Sequence, residues 1–219
     1  MKHPHDGSLL WRMLWRFVYI LIPLVCRLRV EGSEHVPKQG GCVLASNHTM
    51  GPDYILLALA PGRQIYYMAK AEAFQIHPWI TKIILQAGVF PIKRGEGDSN
   101  ALVDAVGLAK TGHMVGMFPE GTRSRTGQLQ RGRSGVIRIA MEAQVPVVPV
   151  VVINSEQIYT GWRRLKRPEI IIRFGKPLIF DGDRQQLKVV QEHTHQLMLV
   201  MAELLPPALQ GIYKTNVVQ

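Results

Sequence analysis

Two side chains five positions apart, His48 and Asp53, give the first sign of chemistry in this chain. Neutral imidazole accepts a proton near neutral pH. A carboxylate on one ring nitrogen fixes the tautomer, frees the other nitrogen and stabilises the imidazolium that forms. Five residues of straight helix would turn the two side chains roughly 140° apart. Gly51-Pro52 between them points instead to a turn followed by a helix start. Pro52 suits the first helical turn, where its fixed φ and missing N–H cost nothing. Taken alone, the pair also fits a surface histidine followed by a helix-opening acid.

Two further polar patches follow apolar runs. Phe118-Pro119-Glu120-Gly121-Thr122-Arg123-Ser124-Arg125 is the denser. Gly121 permits close backbone approach to a ligand. Thr122 and Ser124 supply hydroxyls, and Arg123 and Arg125 supply planar forks suited to phosphate. Glu120 is expected to orient a guanidinium or accept a substrate hydroxyl. Lys93-Arg94 follows Gly88-Val89-Phe90-Pro91-Ile92, and Lys70 ends the run Ile65 to Ala69. Each of these cations also reads as an ordinary surface residue.

The elements that must position these groups alternate. Strands are expected over 27–31, 42–45, 65–69, 89–92, 114–118, 145–153 and 169–174. Helices are expected over 52–59, 78–86, 99–110, 134–143 and 183–205. Such alternation predicts an α/β fold, a mostly parallel or mixed central sheet flanked by helices. Ligands of open α/β sheets bind beyond the carboxyl ends of strands, so the patches can share one crevice. Pro146 and Pro149 place the 145–153 strand at an edge or a bulge. The tail from Gly211 to Gln219 reads as weakly held.

Leu9 to Arg16 carries Trp11, Trp15, Arg12 and Arg16, and an apolar run continues to Cys26. Ser8 can cap a helix here. The clean run is about half the ~20 apolar residues needed for a span, and Pro23 interrupts it. Residues 1–28 are therefore expected to form an amphipathic helix lying in a membrane interface, its arginines reaching headgroups. A spanning helix or one packed on the core are the alternatives.

With 26 Lys+Arg against 16 Asp+Glu the net charge is +10, which favours anionic partners. A mean hydropathy of +0.04 excludes a multi-span membrane protein. Two cysteines, Cys26 and Cys42, give neither a disulfide framework nor zinc-ligand spacing, and fit a reducing compartment. His193 and His195 are two apart on a helix and make a poor metal pair, so no metal is expected. No nucleic-acid module, G-x-S-x-G elbow or P-loop is present. Trp162-Arg163-Arg164-Leu165-Lys166-Arg167 fits an anionic membrane surface or a solvated loop.

Asn47-His48-x-x-x-x-Asp53, Gly88 to Arg94, Phe118 to Ser124 and Val145 to Val150 occur in that order. Together they resemble the four motif blocks of the glycerophospholipid acyltransferases, most closely the 1-acyl-sn-glycerol-3-phosphate (lysophosphatidic acid) acyltransferases. The resemblance spans roughly residues 30 to 180. It implies an acyltransferase domain over 29–210 and a fatty acyl transfer from an acyl thioester to the free hydroxyl of lysophosphatidic acid, giving phosphatidic acid. It implies His48 as general base and Asp53 as its orienter. Arg94 and Arg123 would bind the acceptor phosphate, and Glu120, Gly121 and Thr122 would hold the acceptor. Lys70 or Lys93 could assist, and Pro149 could line the site or acyl passage. No cofactor is implied beyond acyl-CoA or acyl carrier protein as co-substrate. The expected location is peripheral or monotopic, on the cytoplasmic face of an anionic membrane. A different lysophospholipid acceptor, or a non-catalytic anionic-lipid-binding protein, are the alternatives.

Overall fold

The computed structural model describes residues 8–70, 77–92, 99–163 and 166–214. Its strands are β1 (Arg27–Glu31), β2 (Cys42–Ser46), β3 (Ile65–Lys70), β4 (Val89–Ile92), β5 (Met114–Met117), β6 (Val147–Ile153) and β7 (Glu169–Phe174). They form one seven-stranded sheet in the order β1-β7-β6-β2-β5-β3-β4. From β6 to β4 every pairing is parallel. β7 runs antiparallel to β6, and β1 pairs parallel with β7. The sheet is therefore mixed, as the alternation predicts.

The helices are α1 (Leu9–Val25), α2 (Asp53–Ala58), α3 (Pro78–Gln86), α4 (Ser99–Lys110), α5 (Gly135–Ala143), α6 (Gln157–Arg163) and α7 (Leu187–Glu203). Central strands covered on both faces read as continuous apolar runs, because successive side chains point to opposite layers. β2 shows this directly. Val43 and Ala45 enter a core with Ala105 of α4, Ile137 of α5 and Leu197 of α7. Cys42 and Leu44 enter the opposite core, with Trp11 and Trp15 of α1, Leu56 and Leu57 of α2, and Ile158 of α6.

Four expectations change. β6 is interior, between β7 and β2, rather than an edge. Pro146 lies before the strand, and the pairing with β7 begins only at Val150. Pro149 thus stands just outside that ladder, where its missing N–H costs no bond to β7. Its carbonyl accepts from the Gly175 N–H at 2.8 Å. Second, α7 starts at Leu187, because the Asp183 carboxylate accepts from the Gln185 N–H and makes a turn ahead of it. Third, residues 211–213 are held. Tyr213 is buried, and its hydroxyl accepts from the Gly132 N–H at 3.0 Å. Fourth, the sequence reading had no helix at α6.

α1 begins as expected, with Ser8 accepting from the Trp11 N–H at 3.1 Å. Its tryptophans do not face outward. Trp11 and Trp15 are each 4% exposed and pack, with Ile22, on the second core. The exposed face is instead Leu9, Met13, Phe17, Ile20 and Leu24, spaced at helical intervals. Arg12 and Arg16 are also exposed. Among the described residues no helix is long and apolar enough to cross a membrane.

Candidate active site

His48 and Asp53 meet where β2 ends. The β2–β6 ladder closes at Ser46 against Val150. Asn47, 3% exposed, extends the attachment with its side chain. Its Nδ2 donates to the Val152 carbonyl at 3.0 Å, and its Oδ1 accepts from the Val152 N–H at 2.7 Å. This two-point bond copies a strand pair and fixes where the chain leaves the sheet. The next five residues turn, and Asp53 opens α2 with Pro52 at the cap position.

The turn does what a straight helix could not. His48 Nδ1 lies 2.9 Å from Asp53 Oδ2. A carboxylate only accepts, so the Nδ1 proton points at Asp53 and Nε2 keeps its lone pair. The Asp53 side chain is fully buried, and that of His48 is 17% exposed. Asp53 Oδ2 also accepts from the Thr49 N–H at 2.7 Å, and Oδ1 from the Tyr54 N–H at 2.8 Å. The imidazole stacks on Phe118 with ring centroids 4.0 Å apart, and Phe118 stacks in turn on Tyr67 of β3. Burial and the nearby Asp53 charge push the Tyr67 hydroxyl well above its ordinary pKa.

The loop after β5 is tied to the same turn. Glu120 is 3% exposed. Its Oε1 accepts from the His48 N–H at 2.8 Å and its Oε2 from the Gln130 N–H at 2.9 Å. The Ser124 N–H donates to the His48 carbonyl at 2.7 Å. Both backbone groups of His48 are thus held by the 120–124 segment. The expected contact of Glu120 with a guanidinium or substrate hydroxyl is replaced by these backbone bonds. Burial raises the Glu120 carboxyl from its usual value, and the two N–H bonds and His48 pull it part of the way back.

Gly121 takes φ +68°, and a Cβ there would stand 2.9 Å from the Arg133 Nε. The Arg133 side chain thus lies against the loop, and the Arg133 backbone N–H donates to the Pro119 carbonyl at 2.7 Å. Thr122, Arg123, Arg125 and Arg133 are exposed, and the described structure gives none of these arginines an acidic partner. Lys70 closes β3 at the same carboxyl edge of the sheet. Lys93 and Arg94 lie outside the described residues. Pro149 sits buried within β6, paired with Ala45, and its ring packs beside Gly175. It stands four residues before the carboxyl end of β6 at Ile153. Among the described residues no cluster could hold a metal ion.

Sequence reasoning missed Arg133, Thr49 and Ser155. Arg133 had a usable signal, a cation in the glycine-rich run Gly127 to Gly135. Ser155 had none.

The family model described as Acyltransferase matches residues 27–153, more than half of the chain. The chain belongs to the acyltransferase family. This acyltransferase is 30% identical over 161 residues to the 1-acyl-sn-glycerol-3-phosphate acyltransferase of Bacillus subtilis, covering 73% of this chain and 77% of that one. It is 29% identical over 160 residues to the human alpha form of that enzyme, covering 71% of this chain and 56% of the relative. It spans 54% of the namesake from Borreliella burgdorferi, so several relatives are considerably longer. The crystal structure of the Thermotoga maritima lysophosphatidic acid acyltransferase PlsC superposes with a TM-score of 0.63 at 24% identity, covering 85% of this chain and 77% of that one. That match shows a shared fold.

Glu120→Gln tests the backbone clamp. An amide accepts one of the two N–H groups and turns a second donor against the other. The expected loss is about 1–3 kcal/mol near pH 5, read by chemical denaturation. The pH dependence carries a sign. A raised native carboxyl favours the fold while protonated, and that advantage fades as pH rises through the native value. The stability gap between wild type and variant therefore narrows with rising pH above the ordinary carboxylate range.

Proposed function

We propose that the chain moves a fatty acyl group from an acyl thioester to the free hydroxyl of lysophosphatidic acid, giving phosphatidic acid. The observation that carries the reading is the 2.9 Å pair between His48 and Asp53, with no hydrogen-bond partner for Nε2 among the described residues and the ring stacked on Phe118, which leads into the arginine-bearing loop. The names of the relatives support the acceptor.

In this mechanism Nε2 takes the hydroxyl proton as the oxygen attacks the thioester carbonyl carbon. Asp53 stabilises the imidazolium. The tetrahedral intermediate collapses, the C–S bond breaks, and the imidazolium returns the proton to the departing thiolate. Ester and free thiol are the products, with no acyl-enzyme. Arg123 binds the acceptor phosphate, joined by Arg133 across Gly121, and guanidinium forks suit such oxygens. Arg94 takes the same role from the segment after β4. Thr122 offers its hydroxyl to the acceptor. Lys70 or a backbone N–H steadies the developing oxyanion. The donor is acyl-CoA or acyl carrier protein.

The acceptor is an amphiphile, and α1 suits its source. Its exposed row of Leu9, Met13, Phe17, Ile20 and Leu24 lies in the interface of an anionic, cytoplasmic-facing leaflet, while Trp11 and Trp15 dock the helix to the enzyme.

Purified full chain in vesicles, given a long-chain acyl-CoA and a panel of lysophospholipids, should release thiol with lysophosphatidic acid. Absence of release with every acceptor defeats the reading. His48→Ala should lower kcat by about 10²–10⁴-fold. Arg123→Ala should raise KM for lysophosphatidic acid by about tenfold, the size of one charge-assisted bond, and leave KM for the phosphate-free monoacylglycerol unchanged. Phe17→Gln with Leu24→Gln should weaken sedimentation with phosphatidylglycerol-containing vesicles by at least about tenfold, since each side chain carries ~1.5–3 kcal/mol when buried.

A further inference from the structure

Beside Asp53 two hydroxyls are buried. Thr49 is 4% exposed and Ser155 is fully buried. Thr49 Oγ1 lies 3.5 Å from Asp53 Oδ2, the oxygen that bonds His48. Ser155 Oγ is in close hydrogen-bond contact with Thr49 Oγ1. The Gly51 N–H donates to the same Thr49 oxygen at 3.1 Å.

Donor counting orders the chain. Thr49 Oγ1 accepts from Gly51, and Asp53 Oδ2 only accepts. Thr49 can meet Asp53 only as a donor, and with its proton placed there Ser155 is the donor to Thr49. The arrangement is built by close approach. A Cβ on Gly51 would stand 2.3 Å from the Ser155 carbonyl carbon and 2.4 Å from its Oγ. Only glycine lets the segment after β6 press Ser155 against the catalytic turn. Burial in a region of low dielectric makes such oriented hydroxyls felt by a nearby charge.

We infer that Thr49 and Ser155 are positioning residues that set the base strength of His48 by drawing charge from Asp53 Oδ2. The proposal rests on His48 being the base of the reaction above. At 3.5 Å the Thr49 hydroxyl acts on the carboxylate mainly as an oriented dipole. Without it, Asp53 holds the imidazolium more tightly, so His48 stays protonated to higher pH. Among the described residues the other titratable or charged groups around the turn are Glu120, Arg123 and Arg125 on the loop after β5, Tyr54 beside Asp53, Tyr67 on β3, and Glu156 beside Ser155. The substitutions below leave all of them in place.

The test uses the full chain in vesicles of phosphatidylethanolamine and phosphatidylglycerol, with lysophosphatidic acid and acyl-CoA. kcat/KM is followed from pH 5 to pH 9 for wild type, Thr49→Val, Thr49→Ser and Ser155→Ala. The base must be neutral, so activity rises with pH through the His48 pKa. In Thr49→Val and Ser155→Ala the acid limb should move up by about 0.5–1 pH unit, and Thr49→Ser should restore it. In parallel, carbon-13 chemical shifts of the His48 ring are titrated in detergent micelles, a reading that needs no turnover. A matching upward shift there supports the proposal even if no acceptor is turned over, the outcome that would defeat only the acyl-transfer reading. An unmoved ring titration with lowered activity overturns the proposal and leaves the two hydroxyls a packing role. Thermal melts identify any variant that fails to fold, and Thr49→Ser then carries the comparison with Ser155→Ala.

Discussion

A carboxylate with no exposed surface is the constraint on which this site depends. Asp53 is fully buried, and an isolated buried anion is strongly unfavourable. It is stabilised only because the 48–54 segment folds around it and supplies donors. The Thr49 and Tyr54 N–H groups and the His48 ring all point at it. The backbone cannot relax without leaving that charge uncompensated. The turn is therefore rigid for the reason that its chemistry requires: His48 is held with one nitrogen committed and the other free.

Glu120 repeats the device one strand away. It is also a nearly buried acid, and it spends both oxygens on backbone N–H groups of two different segments. It joins the loop after β5 to His48 itself, and the Ser124 N–H closes the same joint from the other side. Arg123 sits between these two attachments, so the cation is positioned by its neighbours while its own side chain stays exposed. Two buried acids build the framework, while Thr122, Arg123 and Arg125 stay exposed. That division explains why so basic a chain places carboxylates at its centre.

The sheet was largely legible because central strands are continuous apolar runs and the helices between them have clear stops. Reading β6 as an edge failed, since a proline rule counts missing N–H groups without knowing which neighbour needs them. Pro149 falls just before the β7 ladder begins, and that depends on tertiary register alone. The His48–Asp53 pair was legible from spacing and the Gly-Pro turn between. Glu120 was legible as important and misread in its partner. An acid beside arginines suggests a guanidinium contact, whereas burial delivers it to backbone donors 72 and 10 residues away. Ser155 stood 106 residues from Thr49 and was beyond any local pattern. The tryptophans of α1 misled because their amphipathic character fits a membrane interface and a core helix equally well.

That last ambiguity has a mechanical consequence. Trp11, Trp15 and Ile22 share a core with Leu44 of β2 and with Leu56 and Leu57 of α2. β2 leads into His48, and α2 begins with Asp53. The helix proposed to lie in the lipid interface therefore shares one apolar layer with the two elements that carry His48 and Asp53, and it reaches them through its contacts with β1, α3 and α6. Met50, Tyr54 and Ile55, beside the dyad, are also exposed and apolar or aromatic. In the proposed reaction, a lysophospholipid held with its chain among such groups keeps its phosphate on the polar side. That proposal assigns the exposed arginines of the 120–125 loop to the phosphate, and the free hydroxyl of the acceptor lies a few bonds from it. In the proposed reaction, fixing the helix to the core fixes the depth of the acceptor hydroxyl relative to Nε2. A mobile anchor would leave that depth to diffusion, and alignment of reacting atoms is where much of such a barrier is removed.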